Sequence, residues 1–253
     1  MKLTPLLLTF ALLGPLPTMF GVEGQTPDRP SLAQFDEAVA RSRRVMRQYC
    51  AITQEMIGAD KADPTQQARA LQALRDARAQ WNAIQKQYAA FPPAEYAHDP
   101  DFKGRLQDIA DAMDDMERTL SGGQARHSFR SCGYACGLFV AMHEDNGLDY
   151  ALDKLFYLRK DLKTVQALMS TKGLSAVRGR IGSLLAKRDA VLAAPPHFAA
   201  SDSRRPAYEN AVHDLSRALD DLALALAAGD MSRVEKSLAQ CTVLANNAYG
   251  MAL

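Results

Sequence analysis

The sequence predicts an all-α protein made of two tandem up-down-up-down four-helix bundles, with eight helices in total. Its apolar residues recur at alternating spacings of three and four, which is the pattern of an amphipathic helix that faces a bundle interior. One such stripe is repeated 106 residues further along the chain, from position 102 to position 208. The two copies consist of Phe102, Leu106, Ile109, Met113, Met116 and Leu120, and of Tyr208, Val212, Leu215, Leu219, Leu222 and Leu226. This period is too long for a solenoid repeat, so it favours duplication of a whole bundle.

Two further features accompany each copy of the stripe. An Asp-Asp pair lies within it, at Asp114-Asp115 and at Asp220-Asp221, and a Pro-Pro turn precedes it, at Pro92-Pro93 and at Pro195-Pro196. Adjacent residues on a helix point about 100° apart. We therefore interpret the aspartates as part of a solvated face and not as a catalytic acid pair.

The N-terminal segment, residues 1–24, is predicted to be a signal peptide. Lys2 is followed by the apolar run from Leu6 to Leu13, and small residues lie just before Gln25. The run is too short to cross a bilayer. Residues 25–30 form a linker, and the mature chain is expected to be periplasmic or secreted, without a membrane span.

Turn signals divide the rest of the chain into helices. In the first bundle, residues 31–146, Pro64 is tolerated in a first helical turn, and Gly122-Gly123 end a helix. In the second bundle, residues 147–253, Gly173 ends the first helix. The predicted helices cover about 31–58, 64–91, 101–120 and 124–145, and then about 148–171, 174–194, 203–228 and 230–249.

The charge pattern argues against a nucleic-acid partner. The chain has 30 basic and 29 acidic residues, and no concentrated basic run of the kind that marks nucleic-acid binding. The short cluster Arg41-Ser42-Arg43-Arg44 is interpreted as a solvated helix face. No nucleophile elbow, phosphate loop or zinc-protease helix is present, so the sequence predicts a protein that is not an enzyme.

The four cysteines are the main candidate site residues. Phe129, Cys132, Cys136, Phe139 and His143 follow one stripe of the fourth helix. In an antiparallel bundle, Cys50 near the end of the first helix lies at the height of Cys132 near the start of the fourth. Cys50, Cys132 and Cys136 are therefore expected to converge. Cys241 lies in the turn equivalent to that of Cys136. It has no obvious partner in its own bundle, because Lys163 occupies the position that matches Cys50. Cys241 is therefore expected either to reach the first bundle, as a further disulfide candidate, or to stay a free thiol.

This convergence leaves three interpretations open. A structural disulfide joins Cys50 to Cys132 or Cys136 while the other thiols, including Cys241, pack as small hydrophobic groups. Alternatively, Cys50, Cys132 and Cys136 bind a soft metal ion, Cu(I) or Zn(II), which thiolate ligands favour. The third interpretation is a haem site.

The haem interpretation follows from a resemblance. An exported four-helix bundle with paired cysteines on its fourth helix resembles the cytochrome c′ family, which implies a haem attached where Cys132 and Cys136 lie. The family motif is C-x-x-C-H, whereas this chain has C-x-x-x-C followed by Gly137. Covalent haem is therefore not expected. His143 and His98 are candidate ligands for a metal or a non-covalent haem, although a histidine near a helix end is also a common structural residue.

Together these features predict an exported, non-enzymatic binding protein for a small ligand or a protein partner. The most specific version of this prediction places a thiol-based metal site in the first bundle. One alternative is a structural or interaction module with stapled or buried cysteines. Another is a degenerate cytochrome c′-like haem or redox protein.

Overall fold

The computed structural model describes residues 29–57 and 63–253, so the predicted signal peptide lies outside the described residues. Within these ranges the chain is all-helical and contains no β-strand, as predicted. A single 3₁₀ turn, Ala94–Tyr96, follows the second helix. The α-helices are α1 Leu32–Ile57, α2 Pro64–Tyr88, α3 Phe102–Ser121, α4 Ala125–Glu144, α5 Ala151–Lys172, α6 Leu174–Arg178, α7 Ile181–Ala193, α8 Arg205–Ala228 and α9 Met231–Ala252.

Local capping explains where several of these helices begin and end. The Asp63 side chain accepts a hydrogen bond from the backbone N–H of Thr65 at 2.9 Å, and so caps α2. Asp230 caps α9 in the same way through the N–H of Arg233 at 3.0 Å. Gly229 ends α8 with a φ of 71°, in the left-handed region that glycine tolerates best.

Helices α1 to α4 enclose one hydrophobic core. Helix α1 contacts α2 and α4, and α3 also contacts α2 and α4, so the four helices form a closed ring. The six residues of the first stripe, from Phe102 to Leu120, are all buried. Burial of apolar side chains makes the largest favourable contribution to the free energy of folding of such a ring of helices.

Helices α5, α7, α8 and α9 enclose a second core. Helix α5 contacts α7 and α9, and α8 also contacts α7 and α9. The second stripe, from Tyr208 to Leu226, is buried throughout. The core residues separate into one cluster between Phe35 and Met142 and another between Ala151 and Leu253.

The prediction of one continuous helix over about 174–194 is wrong. A short helix, α6, ends at Arg178, and α7 starts again at Ile181. Gly179 and Gly182 lower the helix propensity here. The Arg178 Nη2 atom donates to the Leu226 carbonyl at 2.8 Å, which fixes the end of α6 against α8.

Candidate functional site

A disulfide joins α1 to α4 in the first core. The structure bonds Cys50 to Cys132, with their Cα atoms 6.1 Å apart. Of the three interpretations, this arrangement agrees with the one in which Cys50 pairs with a cysteine of α4, and the partner is Cys132. Cys136 and Cys241 are free thiols, and Cys241 is buried.

Cys136 lies one helical turn from Cys132 but has different surroundings. Its thiol, which is only partly buried, lies near the side chain of Tyr249 on α9. Burial raises the pKa of the Cys136 thiol, while the nearby cations Arg43, Arg159 and Lys163 oppose that rise. Cys136 thus belongs to the junction between the two helical sets and not to the disulfide.

The structure does not assemble the expected three-thiol ligand set. Cys50 and Cys132 are bonded to each other, and Cys136 is surrounded by cationic side chains that would repel a metal ion. Across residues 29–57 and 63–253, no group of three or more histidine, cysteine, aspartate and glutamate side chains is placed to bind a metal. The interpretation of these cysteines as a Cu(I) or Zn(II) site is therefore not supported.

Three arginine side chains meet around Tyr249, and a lysine lies next to one of them. We call Arg43, Arg47, Arg159 and Lys163 the basic cluster. The Arg43 Nη2 atom donates to the Tyr249 hydroxyl at 2.9 Å, and the Arg159 guanidinium carbon lies 4.1 Å from the Tyr249 ring centre. The Arg47 guanidinium carbon lies 5.8 Å from the same ring centre, and Lys163 Nζ lies 5.2 Å from the centre of the Phe129 ring. Cation–π contacts at such distances hold these positive groups close together.

The basic cluster has neutral hydrogen-bond partners. Arg47 donates to the Asn246 carbonyl and Arg159 to the Asn246 side-chain oxygen, each at 2.8 Å. Within the described part of the chain, none of the ion pairs includes a member of the cluster, although the charge of Asp153 is felt at Arg43. The members also repel one another: burial, Arg47 and Arg43 lower the pKa of Arg159, and burial and Arg159 lower the pKa of Lys163.

A second polar group connects α4 to α5. The His143 Nδ1 atom lies 2.7 Å from an Asp153 carboxylate oxygen, and both side chains are buried. The two residues lie at a helix C-terminus and a helix N-terminus, where the dipoles favour a cation and an anion respectively. His98 is exposed, so the structure does not place it with His143 as a second ligand.

The His143–Asp153 pair borders a small internal cavity. Asp36, Arg43, His143 and His197 line it together with three apolar residues, and it has room for at most one water molecule. Several polar atoms have no hydrogen-bond partner in the described residues, namely Asp36 Oδ1, Arg43 Nε, His143 Nε2, Asp153 Oδ1 and both His197 ring nitrogens. Unpaired polar atoms in such a place cost free energy and shift protonation equilibria.

The pKa values of Asp36 and His197 shift in opposite directions. Burial raises the pKa of Asp36 to about 6, against a hydrogen bond from Tyr150 and the charge of His143. Burial also lowers the pKa of His197 to about 4, and the cations Arg43 and Arg204 add to this effect. Between these two pKa values, folding therefore favours a protonated Asp36 and a neutral His197.

Sequence reasoning missed most of the residues in these groups. Arg43 was interpreted as part of a solvated face, but it is 2% exposed, so that interpretation is wrong. The signal was its spacing: Arg43 follows Val39 by four positions and precedes Met46 by three, on the inward stripe of α1. No sequence signal marked Asp36, Asp153 or His197.

Comparison with known proteins adds no family to this description. None of the protein-family models, curated proteins or solved structures that were compared with the chain matches it. The similarity to cytochrome c′ bundles thus rests on the sequence pattern alone. Among the helices within 29–57 and 63–253, none has the length and apolar character that crossing a membrane requires.

Removing the disulfide by the double substitution Cys50→Ala and Cys132→Ala should lower the free energy of unfolding by about 4 kcal/mol. The bond joins residues with a sequence separation of 82, and its loss frees the unfolded chain. Cys136→Ala is the matched control and should cost about 1 kcal/mol, because it removes one partly buried sulfur. Urea denaturation followed by circular dichroism measures both, and equal effects of the two changes would contradict the assignment.

The opposed pKa shifts predict opposed pH dependence in two variants. Asp36 has a folded pKa of about 6 against 3.8, so its contribution to stability falls as pH rises from 4 to 6. His197 has a folded pKa of about 4 against 6.5, so its contribution rises from pH 4 to 6.5. The two slopes largely cancel in the native chain.

Asp36→Asn should therefore make the protein more stable, relative to the unaltered protein, as pH rises from 4 to 6. His197→Gln should make it relatively less stable over the same interval, and each change amounts to roughly 2 kcal/mol. Denaturation at pH 4, 5 and 6 gives the free energy of unfolding of each variant and of the unaltered protein. The contributions of the other carboxylates cancel in the difference between the two. Slopes of the same sign for both variants would refute the proton arrangement.

Proposed function

We propose that this chain is an exported, non-enzymatic binding protein that holds a small inorganic or organic anion at the basic cluster. The observation that supports this proposal is the meeting of Arg43, Arg47, Arg159 and Lys163 with only neutral hydrogen-bond partners in the described residues. Like charges held together in a partly buried place raise the free energy of the unliganded protein. An anion would remove that repulsion.

The chemistry of the cluster suits a phosphate or carboxylate group. Guanidinium groups present planar pairs of N–H donors that match such oxygens, and lysine adds a mobile charge. Arg47 and Arg159 are partly exposed and Lys163 is exposed, so an anion can reach them from solvent. The cations come from α1 and α5, so a bound anion would also connect the two helical sets.

The proposed export rests on the sequence of residues 1–24, and the disulfide supports it. Disulfides persist in oxidising compartments such as the periplasm and the extracellular space. We place the mature protein there. The absence of a recognised enzyme motif in the sequence underlies the proposal that the protein binds its ligand without transforming it.

We also propose that the two helical sets, residues 31–146 and 147–253, arose by duplication of one up-down-up-down bundle. Matched ion pairs support this. Asp114 pairs with Arg78 on the preceding helix, and Asp220 pairs with Arg188 on its own preceding helix. The second aspartate of each pair faces a basic residue on the following helix, His127 in one case and Arg233 in the other.

The anion proposal predicts that inorganic phosphate stabilises the protein against heat and that single substitutions weaken the effect. Arg159→Gln or Lys163→Gln should lower phosphate affinity about tenfold, because one charge-assisted hydrogen bond is lost. Lys160→Gln, on the exposed face of the same helix, removes an equal charge and is the matched control. Calorimetric titration at constant ionic strength measures the affinities. Equal losses in all three variants, or no phosphate binding, would refute the site.

Cys136 offers an independent chemical probe of the same cluster. Iodoacetate is an anion and iodoacetamide is its neutral analogue, so a cationic environment favours the first reagent. The ratio of the two alkylation rates at Cys136 should exceed that of a free cysteine derivative roughly fivefold, as about 1 kcal/mol of charge interaction predicts. Lys163→Gln should reduce the ratio and phosphate should slow iodoacetate selectively. A ratio like that of the free thiol would contradict the proposal.

A structural role is the second candidate, because the disulfide and the buried thiol of Cys241 favour it. In that case the chain is an interaction module. Its disulfide links two helices of the first core, and the thiol of Cys241 packs in the second core. The charged cluster then only orients α1 and α5. The phosphate titration separates the two functions, because the structural role predicts no saturable binding.

A further inference from the structure

The second helical set has an open groove at one corner. The equivalent corner of the first set is filled by its own side chains. A groove of about 570 Å³ lies where the end of α7 meets the start of α8, within the size range of small-molecule sites. Its apolar wall includes Val191, Leu192, Phe198 and Tyr208, and the Pro195-Pro196 turn forms one edge. The groove lies in a different part of the fold from the basic cluster.

The corresponding corner of the first set is packed with aromatic rings. It lies beside Pro92-Pro93, between the end of α2 and the start of α3. The ring centre of Phe35 lies 5.0 Å from that of Tyr88, 5.3 Å from that of Tyr96 and 5.7 Å from that of Phe102. These are ordinary packing distances for aromatic pairs, so this corner is closed by side chains alone.

The open corner lacks one ring of the closed corner, although His197 packs on Phe198 with ring centres 5.3 Å apart. Tyr88 lies four positions before Pro92, and the residue four positions before Pro195 is Val191. Phe198 and Tyr208 remain in contact, with ring centres 5.6 Å apart, but the ring that Tyr88 supplies has no counterpart at Val191. The groove therefore lies beside Val191, at the position where the first set places the ring of Tyr88.

The rim of the groove carries a cation with spare donors. Arg205 and His213 line the groove with Glu209. Arg205 uses its Nε atom to donate to Glu209 at 2.7 Å, and its two Nη atoms make no hydrogen bond in the described part of the chain. Paired Nη donors are suited to a carboxylate.

We infer that the groove binds a small monoaromatic carboxylate. Its ring packs against Phe198 and Tyr208 beside Val191, and its carboxylate reaches the Nη atoms of Arg205. This site is independent of the proposed anion site at the basic cluster, and it selects for an apolar ring as well as for charge.

Phenylacetate is the probe, with 2-phenylethanol as the neutral analogue and acetate as the analogue without a ring. In ¹⁵N-labelled protein, phenylacetate should shift amide resonances of residues 191–213 in a saturable manner, whereas acetate should not. Arg205→Gln should weaken phenylacetate binding about tenfold and leave 2-phenylethanol unchanged. Arg159→Gln, in the basic cluster, should alter neither.

Val191→Tyr supplies the ring that the first set has and should abolish binding of both aromatic probes. If this variant does not fold, Leu192→Asp tests the groove by charge instead, because Leu192 is 45% exposed and tolerates a polar side chain. The added carboxylate should repel phenylacetate and spare 2-phenylethanol. The inference is overturned if phenylacetate causes no shifts in this segment, if acetate shifts the same resonances equally, or if the folded Val191→Tyr variant binds as well as the original chain.

Discussion

The junction between the two helical sets depends on one buried guanidinium group. Arg43 is 2% exposed, and burial of an ionised group is costly unless it has close partners. It has them on both sides of the junction: the Phe139 ring centre of α4 lies 4.8 Å from its guanidinium carbon, and the Tyr249 hydroxyl of α9 accepts its hydrogen bond. The position of α9 against α1 is thus fixed by a directional contact as well as by apolar packing.

Arg43 also explains why two polar groups of different character lie side by side. Towards Tyr249 it joins the basic cluster, where positive charges exceed negative ones. On its other side it lines the small cavity together with Asp36, and the negative charge of Asp153 stabilises its positive charge. The same guanidinium lowers the pKa of His197. One side chain would therefore couple protonation inside the cavity to the proposed binding of an anion outside it.

The sequence predicted the elements of this fold better than their contacts. Stripe spacing identified the long helices, and counting turns from helix ends correctly placed Cys50 at the height of Cys132. Both results follow from the geometry of a single bundle. The break between α6 and α7 was missed because two glycines lower helix propensity only slightly, whereas the contact of Arg178 with α8 is a tertiary interaction.

The environment of Cys136 could not be predicted for a related reason. Residues four apart on a helix point about 40° apart, so Cys132 and Cys136 share a stripe that is wide enough to face two different neighbours. Cys132 faces α1, whereas Cys136 meets Tyr249 of α9. Nothing in the pattern of α4 alone indicates that a second helical set packs against it. For Arg43 the spacing indicated an inward position, but charged residues are rarely buried without a partner, and the sequence does not reveal that Phe139 and Tyr249 supply the partners.

Helix α1 consequently belongs to both helical sets. The disulfide ties it to α4 within the first core, and its arginines bind the last turns of α9. Arg44 donates to the carbonyl of Leu253, and Arg47 donates to that of Asn246 at 2.8 Å. The second set has no covalent closure of its own in the described residues. Helix α9, which closes the ring of the second set, is held against α1, and the disulfide fixes α1 against α4. The first core therefore acts as the rigid support on which the second is oriented.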